Sequence, residues 1–278
     1  MDAIYKPSGK AGEYAEWAAS IFVGCSNGCE YCYLKKGVLA HAMGGNTPKL
    51  KKCFTDNDDA ICTFKDELIK NTLKIRQAGG IFFTFTTDPC LPETWPVFGE
   101  CARFAMSMGC PVTILTKCVD WLKDDKANEL IRMATVNPGL LCIGFTLTGS
   151  DELEPNAATN EERIDAMNFL HQIGVKTFAS IEPIVDFQAS TQMIHKAHKY
   201  CDLFKVGLMT GGKQKITSQE VKDFVTDLLQ TFTDWEVKSK IMFKESIIKK
   251  LDQLTLNLMS LHANVVDHEF TLLRKSDK

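Results

Sequence analysis

The sequence lacks the features of an exported or membrane-embedded protein. Residues 1–16 are polar and contain no apolar core of a signal peptide. No run approaches the roughly 20 apolar residues with which a helix crosses a bilayer. We therefore expect a cytoplasmic protein with no membrane partner.

An excess of charge of one sign is also missing. Lys and Arg number 32 against 35 Asp and Glu, which gives a formal net charge of −3. This balance excludes a global attraction to nucleic acid or anionic lipid and leaves only local basic patches. The densest basic group is typical of a solvated helix face. It consists of Lys238, Lys240, Lys244, Lys249 and Lys250.

Regularly paired cysteines are absent, although the chain contains eleven cysteines. An odd number in a chain without an export signal predicts reduced thiols rather than disulfides. Four cysteines lie in apolar or helical surroundings, where a free thiol packs as a small hydrophobic group. These are Cys101, Cys110, Cys142 and Cys201.

Three further cysteines stand close together at the spacing C-x3-C-x2-C. Cys25, Cys29 and Cys32 follow the apolar run Ile21–Val23, which predicts a strand that ends in a cysteine-rich loop. Thiolates are the usual ligands of a [4Fe–4S] cluster, normally four in number. Three cysteines therefore indicate a cluster with one iron left for a ligand from outside the protein.

A non-catalytic metal-binding module is the alternative interpretation of this loop. A structural zinc or iron–sulfur site takes a closed set of four protein ligands and would serve association with protein or nucleic acid. His41, Cys53 and Cys62 are the candidates for the fourth ligand. Only one C-x2-C pair exists in the chain, which weakens the zinc interpretation.

Short apolar runs recur at intervals of about 30 residues, the length of a strand–helix unit. With the strand before Cys25 they predict an α/β fold, a partial (β/α)6 TIM-like barrel. We expect the barrel in residues 1–235 and a C-terminal cap of the same domain in residues 236–278. The further predicted strands are Ile81–Thr87, Val112–Thr116, Leu140–Thr146, Val175–Ile181 and Leu203–Met209, with a short one at Ile241–Phe243.

Apolar stripes at helical spacing lie between the strands. One stripe runs from Ile164 to Ile173 and another from Val221 to Phe232, and both are expected to face the core. A third stripe in the C-terminal region consists of Ile247, Leu251, Leu254, Leu258 and Leu261.

Polar residues follow each predicted strand, where the ligands of parallel barrels collect. They occur as Thr86-Thr87-Asp88, Thr116-Lys117, Thr146-Leu147-Thr148, Ser180-Ile181-Glu182 and Met209-Thr210-Gly211-Gly212.

The cysteine motif, with Tyr31 before its last cysteine, resembles the signature of radical S-adenosylmethionine (SAM) enzymes. The strand-end residues and the run Leu153-Glu154-Pro155 with Glu162-Arg163 resemble the spore photoproduct lyase-like branch. The resemblance spans Phe22 to Pro183 and implies a (β/α)6 barrel. It also implies that SAM binds the open iron and is cleaved by one electron to a 5′-deoxyadenosyl radical.

The resemblance also implies roles for individual residues. Thr87, Lys117 and Thr146 match positions that line SAM. Tyr31 sits where the loop approaches the adenine, and Tyr33 matches an aromatic residue implicated in radical transfer. The lyase's hydrogen-donor cysteine is replaced by Phe85, which argues against photoproduct repair.

The chemistry of SAM extends this set of candidate contacts. Its amino group needs an acceptor such as Asp88 or Thr87, and its carboxylate needs a cation such as Lys117 or Arg163. The ribose hydroxyls suit Thr146 or Thr148.

Two charged residues are candidates for substrate contacts. Glu182 ends a strand at the mouth of the barrel. Lys205 lies within a strand and is expected to bind a polar substrate group or to pair with Glu182. Cys90 is a candidate hydrogen donor or ligand of a second cluster. Residues 34–59 are expected to form a lid or a substrate-facing segment. The substrate is unidentified, either a small molecule or nucleic-acid related, and a reductant such as flavodoxin or ferredoxin is required.

Overall fold

Seven short parallel strands and one antiparallel edge strand form a single sheet in the computed structural model, which describes residues 2–37, 39–209 and 216–273. The strand order is β1-β2-β5-β6-β7-β8-β9-β10, and β3 pairs with β4 in a separate ribbon. The strands are β1 (Ile4–Tyr5), β2 (Ala18–Ala19), β3 (Phe22–Val23), β4 (Lys49–Leu50), β5 (Ile81–Phe83), β6 (Val112–Thr116), β7 (Leu141–Thr146), β8 (Lys176–Ile184), β9 (Leu203–Leu208) and β10 (Lys240–Phe243).

A helix connects each parallel strand to the next, which gives six β/α units followed by β10. This is the predicted (β/α)6 arrangement, an open sheet with β1 and β10 at its edges. The helices are α1 (Leu39–Met43), α2 (Asn57–Gln77), α3 (Trp95–Ser107), α4 (Asp125–Val136), α5 (Asn160–Gln172), α6 (Phe187–Ala197), α7 (Ser218–Asp234), α8 (Glu245–Ile248) and α9 (Gln253–Leu261).

The prediction for the first barrel strand was wrong. The run Ile21–Val23 does not enter the barrel, because Phe22–Val23 pairs antiparallel with Lys49–Leu50. The first parallel strand is instead Ala18–Ala19, which pairs with β5. The apolar character of Ile21 and Phe22 fits their burial in the core between the sheet and the helices, here called the outer core. The ring centres of Phe22 and Phe98 lie 5.8 Å apart there.

The internal helices follow their apolar stripes. In α7 the buried residues are the predicted ones, from Val221 to Phe232, and α5 buries Ile164, Met167 and Leu170. The C-terminal stripe was misinterpreted, because it is divided between the short helices α8 and α9. Leu254 and Leu261 in α9 are 69% and 83% exposed.

The C-terminal region contributes to the sheet. Lys240–Phe243 forms a parallel pair with β9, and Ile241 also forms a parallel bridge with Val265. The predicted boundary at residue 235 stays a prediction. The predicted strand end Thr210-Gly211-Gly212 lies outside the described residues.

The parallel register brings the strand ends to the same edge of the sheet. Thr146 of β7 lies beside Ser180 of β8, and Thr116 of β6 lies beside Phe145. The loops that follow these strands therefore meet at the carboxyl end of the barrel. Among the described helices, none has the length and apolar composition needed to cross a membrane.

Candidate active site

A cavity of about 490 Å³ opens at the carboxyl ends of the strands. Ten of the residues singled out in the sequence line it, from the cysteine loop and the ends of four strands. They are Cys25, Cys29, Tyr31, Cys32, Tyr33, Thr87, Asp88, Lys117, Thr146 and Glu182.

Two glycines give the cysteine loop its path. Gly24 has φ +84°, and a Cβ atom there would lie 2.5 Å from the carbonyl oxygen of Thr47. Gly28 has φ +76°, and its Cβ would lie 3.1 Å from the side chain of Asn156. Both positions combine a left-handed backbone with a close approach, so glycine is required at each.

The loop after β7 holds the cysteine loop in place. The backbone N–H of Glu30 donates to the carbonyl oxygen of Leu153 at 3.0 Å. Asn156 donates from its backbone to Asn27 at 3.2 Å and from its side chain to Ser26 at 2.9 Å. These three hydrogen bonds hold the cysteine loop against the loop after β7, more than 120 residues further along the chain.

The donor set of the cavity fits a [4Fe–4S] cluster with an open iron. All eleven cysteines are free thiols, and of these only Cys25, Cys29 and Cys32 line the cavity. In the described part of the chain, no three Cys, His, Asp or Glu side chains converge as ligands of a single metal ion. Cluster ligands bind separate irons and therefore need no such convergence.

The candidate fourth ligands lie elsewhere. His41, Cys53 and Cys62 are exposed, and none of them lines this cavity. The closed four-ligand module therefore lacks its fourth ligand within residues 2–37, 39–209 and 216–273.

Burial favours the protonated form of the thiols in the cysteine loop. It raises the pKa of Cys25 to about 12, and the neighbouring charge of Asp88 adds to this effect. Burial likewise raises the pKa of Cys29. These thiols are neutral at pH 7 without metal, so iron binding must release their protons.

Two buried hydroxyl groups in the cavity have no hydrogen-bond partner among the described residues. They are the Oγ1 atoms of Thr84 and Thr87, which follow β5. An unpaired buried hydroxyl costs about 1–3 kcal/mol. Each of these atoms could accept a hydrogen bond from an amino or hydroxyl group of a ligand.

Lys117 supplies the cation beside the cysteine loop. Burial acts to lower its pKa, but the thiolate form of Cys29 and the carboxylate of Glu154 outweigh burial and raise it. Its Nζ lies 5.5 Å from the centre of the Tyr31 ring. The side chain is therefore charged and is placed for an anionic group in the cavity.

Asp88 lines the cavity, but its carboxylate is occupied by protein donors. One oxygen accepts from Thr116 Oγ1 at 2.7 Å and from the Cys90 N–H at 3.0 Å. The other accepts from Asn27 Nδ2 and the Lys117 N–H, each at 2.8 Å. Four donors fill the acceptor sites of a carboxylate, and one of them, Asn27, ties Asp88 to the cysteine loop. A contact between Asp88 and SAM stays a prediction.

Arg163 does not reach the cavity, contrary to its predicted role at the SAM carboxylate. It is 0% exposed and donates to the carbonyl oxygens of Ala158 and Thr146 at 2.7 and 2.6 Å. Its remaining donor pairs with Glu154, which also accepts from the Tyr31 hydroxyl. Arg163 therefore acts through Glu154 on Tyr31 and the cysteine loop.

Two further predicted contacts face away from the cavity. The Thr148 hydroxyl accepts from the N–H of Ser150 at 3.3 Å, so it organises the loop after β7. Cys90 is buried in the outer core and does not line the cavity. The structure therefore does not support ribose binding by Thr148 or hydrogen donation by Cys90.

The predicted pair of Glu182 and Lys205 does not form. Glu182 instead accepts from Lys244 at 2.7 Å and from the Tyr14 hydroxyl at 2.9 Å. Lys205 lines a second cavity at the amino ends of the strands, so it is not a substrate contact in the carboxyl-end cavity.

Tyr33 lies at the opening of the carboxyl-end cavity. Its side chain is 45% exposed, and its hydroxyl donates to the carbonyl oxygen of Phe85. A role in radical transfer stays a prediction for this residue.

Tyr14, Thr84 and Lys244 are among the cavity-lining residues that sequence reasoning missed. Lys244 directly follows β10, so the rule of polar strand ends would have found it. Tyr14 carries no such signal, because it comes from the N-terminal segment and reaches Ser180, 166 residues away, at 2.8 Å.

Comparison with known proteins gives one curated sequence relative and a set of structural neighbours. No family model matches the chain. An uncharacterized protein of Methanocaldococcus jannaschii is 25% identical over 175 residues, 62% of this chain and 61% of that protein. The chain therefore spans less than two thirds of the relative that it matches.

Solved structures share the architecture. Spore photoproduct lyase complexed with dinucleoside spore photoproduct has a TM-score of 0.61 at 12% identity. The match covers 86% of this chain and 79% of the lyase chain. Streptococcus suis SuiB bound to S-adenosylmethionine has a TM-score of 0.58 at 11% identity, with 87% and 54% covered. The chain has the fold of radical SAM enzymes. SuiB bound to its precursor peptide SuiA matches with a TM-score of 0.57.

Proposed function

We propose that this chain is a radical SAM enzyme that acts on an unidentified substrate. The supporting observation is that three free cysteines and polar residues from four strand ends line one cavity. Cys25, Cys29 and Cys32 would hold a [4Fe–4S] cluster. With SAM on its open iron, such a cluster would supply the one electron that cleaves SAM to methionine and a 5′-deoxyadenosyl radical, and this radical would abstract hydrogen from the substrate.

The residues of the cavity bind and orient SAM. Lys117 pairs with its carboxylate, because this lysine is a charged group on the wall beside the cysteine loop. The free hydroxyl of Thr87 accepts from the amino group, and Thr146 binds the ribose. Tyr31, held by Glu154, places the loop backbone beside the adenine.

The substrate occupies the part of the cavity near Glu182 and Tyr33. Glu182 offers an acceptor at the end of β8, fixed by Tyr14 and Lys244. The structural neighbours bind a precursor peptide and a dinucleoside photoproduct, so both peptide and nucleic-acid substrates merit testing. The enzyme takes electrons from a reductant such as flavodoxin or ferredoxin in the cytoplasm.

Anaerobic reconstitution tests the proposal. The purified chain should bind about four irons and release 5′-deoxyadenosine when it receives SAM and dithionite. Cys29→Ala should lose cluster and product together. Cys62→Ala is the matched control, because Cys62 is exposed and lies outside the cavity.

Two results would contradict the proposal. The first is release of 5′-deoxyadenosine by Cys29→Ala at the rate of the unmodified protein. The second is loss of metal from variants of His41, Cys53 or Cys62, since that loss would assign the loop to a closed, non-catalytic site.

A further inference from the structure

A second cavity lies at the opposite end of the barrel. It has a volume of about 480 Å³ and is lined by the first residues of several strands, among them Ile81 and Leu203. Residues 268–273 of the C-terminal segment form another of its walls. None of the three loop cysteines lines it, and Tyr14 is the residue that lines both this cavity and the candidate active site.

Lys205 is the charged side chain buried in this cavity. It is 7% exposed, and its Nζ donates one long hydrogen bond, 3.4 Å, to the carbonyl oxygen of Tyr14. The Nζ also lies 4.7 Å from the Tyr14 ring centre and 5.7 Å from that of Phe178. Among the described residues, no carboxylate lies within ion-pair distance of it.

The nearby carboxylates of Glu13 and Glu182 lie closer to Lys244 than to Lys205. Lys244 binds Glu182 at 2.7 Å and lies 3.2 Å from Glu13. A buried charge without a counterion is costly, and burial accordingly lowers the pKa of Lys205 to about 8. The ammonium group therefore lacks an anion, and the cavity beside it has room for one.

We propose that the amino-end cavity is a binding site for a small organic monocarboxylate. The carboxylate would pair with Lys205, and the apolar body would lie against the rings of Tyr14 and Phe178. A cavity of this volume is in the usual range for small-molecule sites.

The charges favour a carboxylate over a phosphate. Lys205 contributes one positive charge that has no direct ion-pair partner among the described residues, and a single charge suits a monoanion. The other lysine on the wall, Lys6, is paired with Glu16 at 2.7 Å. A phosphate dianion is normally bound by several cations or N–H donors, and this wall offers one free cation within the described residues.

The test uses the reconstituted full-length protein and 4-fluorobenzoate, observed by fluorine NMR. The probe should bind, and Lys205→Met should weaken binding at least about tenfold because a charge-assisted bond is lost. Lys205→Gln serves as a second variant if the Met variant does not fold. The neutral isostere 4-fluorobenzamide should bind at least about tenfold more weakly than the benzoate.

Tyr14→Phe is the matched control. It keeps the backbone carbonyl and the ring that face Lys205 but removes the hydroxyl that reaches Glu182. Benzoate affinity should therefore stay within about twofold.

Any of three results would overturn the proposal. They are no binding of 4-fluorobenzoate up to about 10 mM, equal affinity for the Lys205 variants and the unmodified protein, or equal affinity for benzoate and benzamide. Binding of inorganic phosphate in place of benzoate would overturn the carboxylate assignment.

Discussion

The two ends of the barrel enclose cavities of nearly equal size, about 490 and 480 Å³, but they differ in chemistry. The carboxyl end brings together the three cysteines of the cysteine loop, the unpaired hydroxyls of Thr84 and Thr87, and the charged Lys117. The loop after β7 holds the cysteine loop in place there. Among the residues that the structure describes, the amino end has one buried cation, Lys205, which belongs to a strand. Loops that follow parallel strands can deliver new side chains to the barrel, whereas strand starts offer mainly what the strands carry.

The two ends also differ in how their charges are compensated. At the carboxyl end, Arg163 is paired with Glu154 and Asp88 accepts four hydrogen bonds. At the amino end, Lys205 has one long bond and two rings. Removing a charge should therefore destabilise the first end and stabilise the second.

The largest effect is expected from Arg163→Met. This change leaves the carboxylate of Glu154 buried without its cation, which should lower the free energy of unfolding by about 3–5 kcal/mol. Urea denaturation measures this loss. Arg103→Met, at a half-buried surface pair with Glu100, should lose less than about 1 kcal/mol. Equal losses in the two variants would contradict the assignment of Arg163 as the buried counterion of Glu154.

Lys205→Met should raise the free energy of unfolding, the opposite of the change expected for Arg163→Met. Since burial lowers the pKa of Lys205 to about 8, the unfolded chain binds more protons between that pH and the ordinary lysine value. The stability of the unmodified protein therefore gains from this group as pH rises through the window. The variant should be more stable by up to about 3 kcal/mol at pH 7.

That advantage should shrink as the pH rises to about 10. Urea denaturation of both proteins at the two pH values, under reducing conditions, gives the difference. Taking the difference cancels the titration of the buried thiols, which both proteins share. Lys176→Met, at an exposed lysine beside Asp202, is the control and should show no such change. An advantage that stays constant with pH would contradict the assignment.

Asp88→Asn separates positioning from direct binding. An amide has one acceptor oxygen for four donors, so the free energy of unfolding should fall by about 2 kcal/mol even without SAM. Asp186→Asn, at the start of α6, should change little because Asn also caps helices well. If the Asp88→Asn protein has normal stability but reduced SAM affinity, this result would support a direct contact between Asp88 and SAM.

The smallest effect is expected from Thr87→Val. Its hydroxyl has no partner among the described residues, so stability should not fall. SAM affinity, measured by equilibrium dialysis on the reconstituted protein, should drop about fivefold. Thr116→Val, which loses a bond to Asp88, should instead lose stability. Unchanged SAM affinity in Thr87→Val would contradict its predicted contact.

The sequence predicted the elements whose signal is local. Val112–Thr116 was predicted with its correct bounds, because it is a short β-rich apolar run between turn signals. The two-residue strand Ala18–Ala19 was missed, since two small residues give no periodicity. In α9, apolar spacing did not indicate burial, because Leu254 and Leu261 lie in solvent.

The site was predictable where position along a strand determines it. Thr87, Lys117 and Thr146 follow their strands directly and line the cavity. The predicted roles of Arg163 and Thr148 were wrong because these side chains bond to Glu154 and Ser150 in the loop after β7. The conformation of this loop cannot be predicted from the local sequence. Tyr14 was missed because its contact to Ser180 spans most of the barrel sequence.

The open iron is the central claim, and electron–nuclear double resonance tests it most directly. The reduced, reconstituted protein is measured with SAM that carries ¹⁵N in its methionine amino group. We predict a hyperfine coupling between the cluster and this nitrogen, which disappears when unlabelled SAM is added in excess. A cluster whose spectrum is the same with and without SAM would contradict the account.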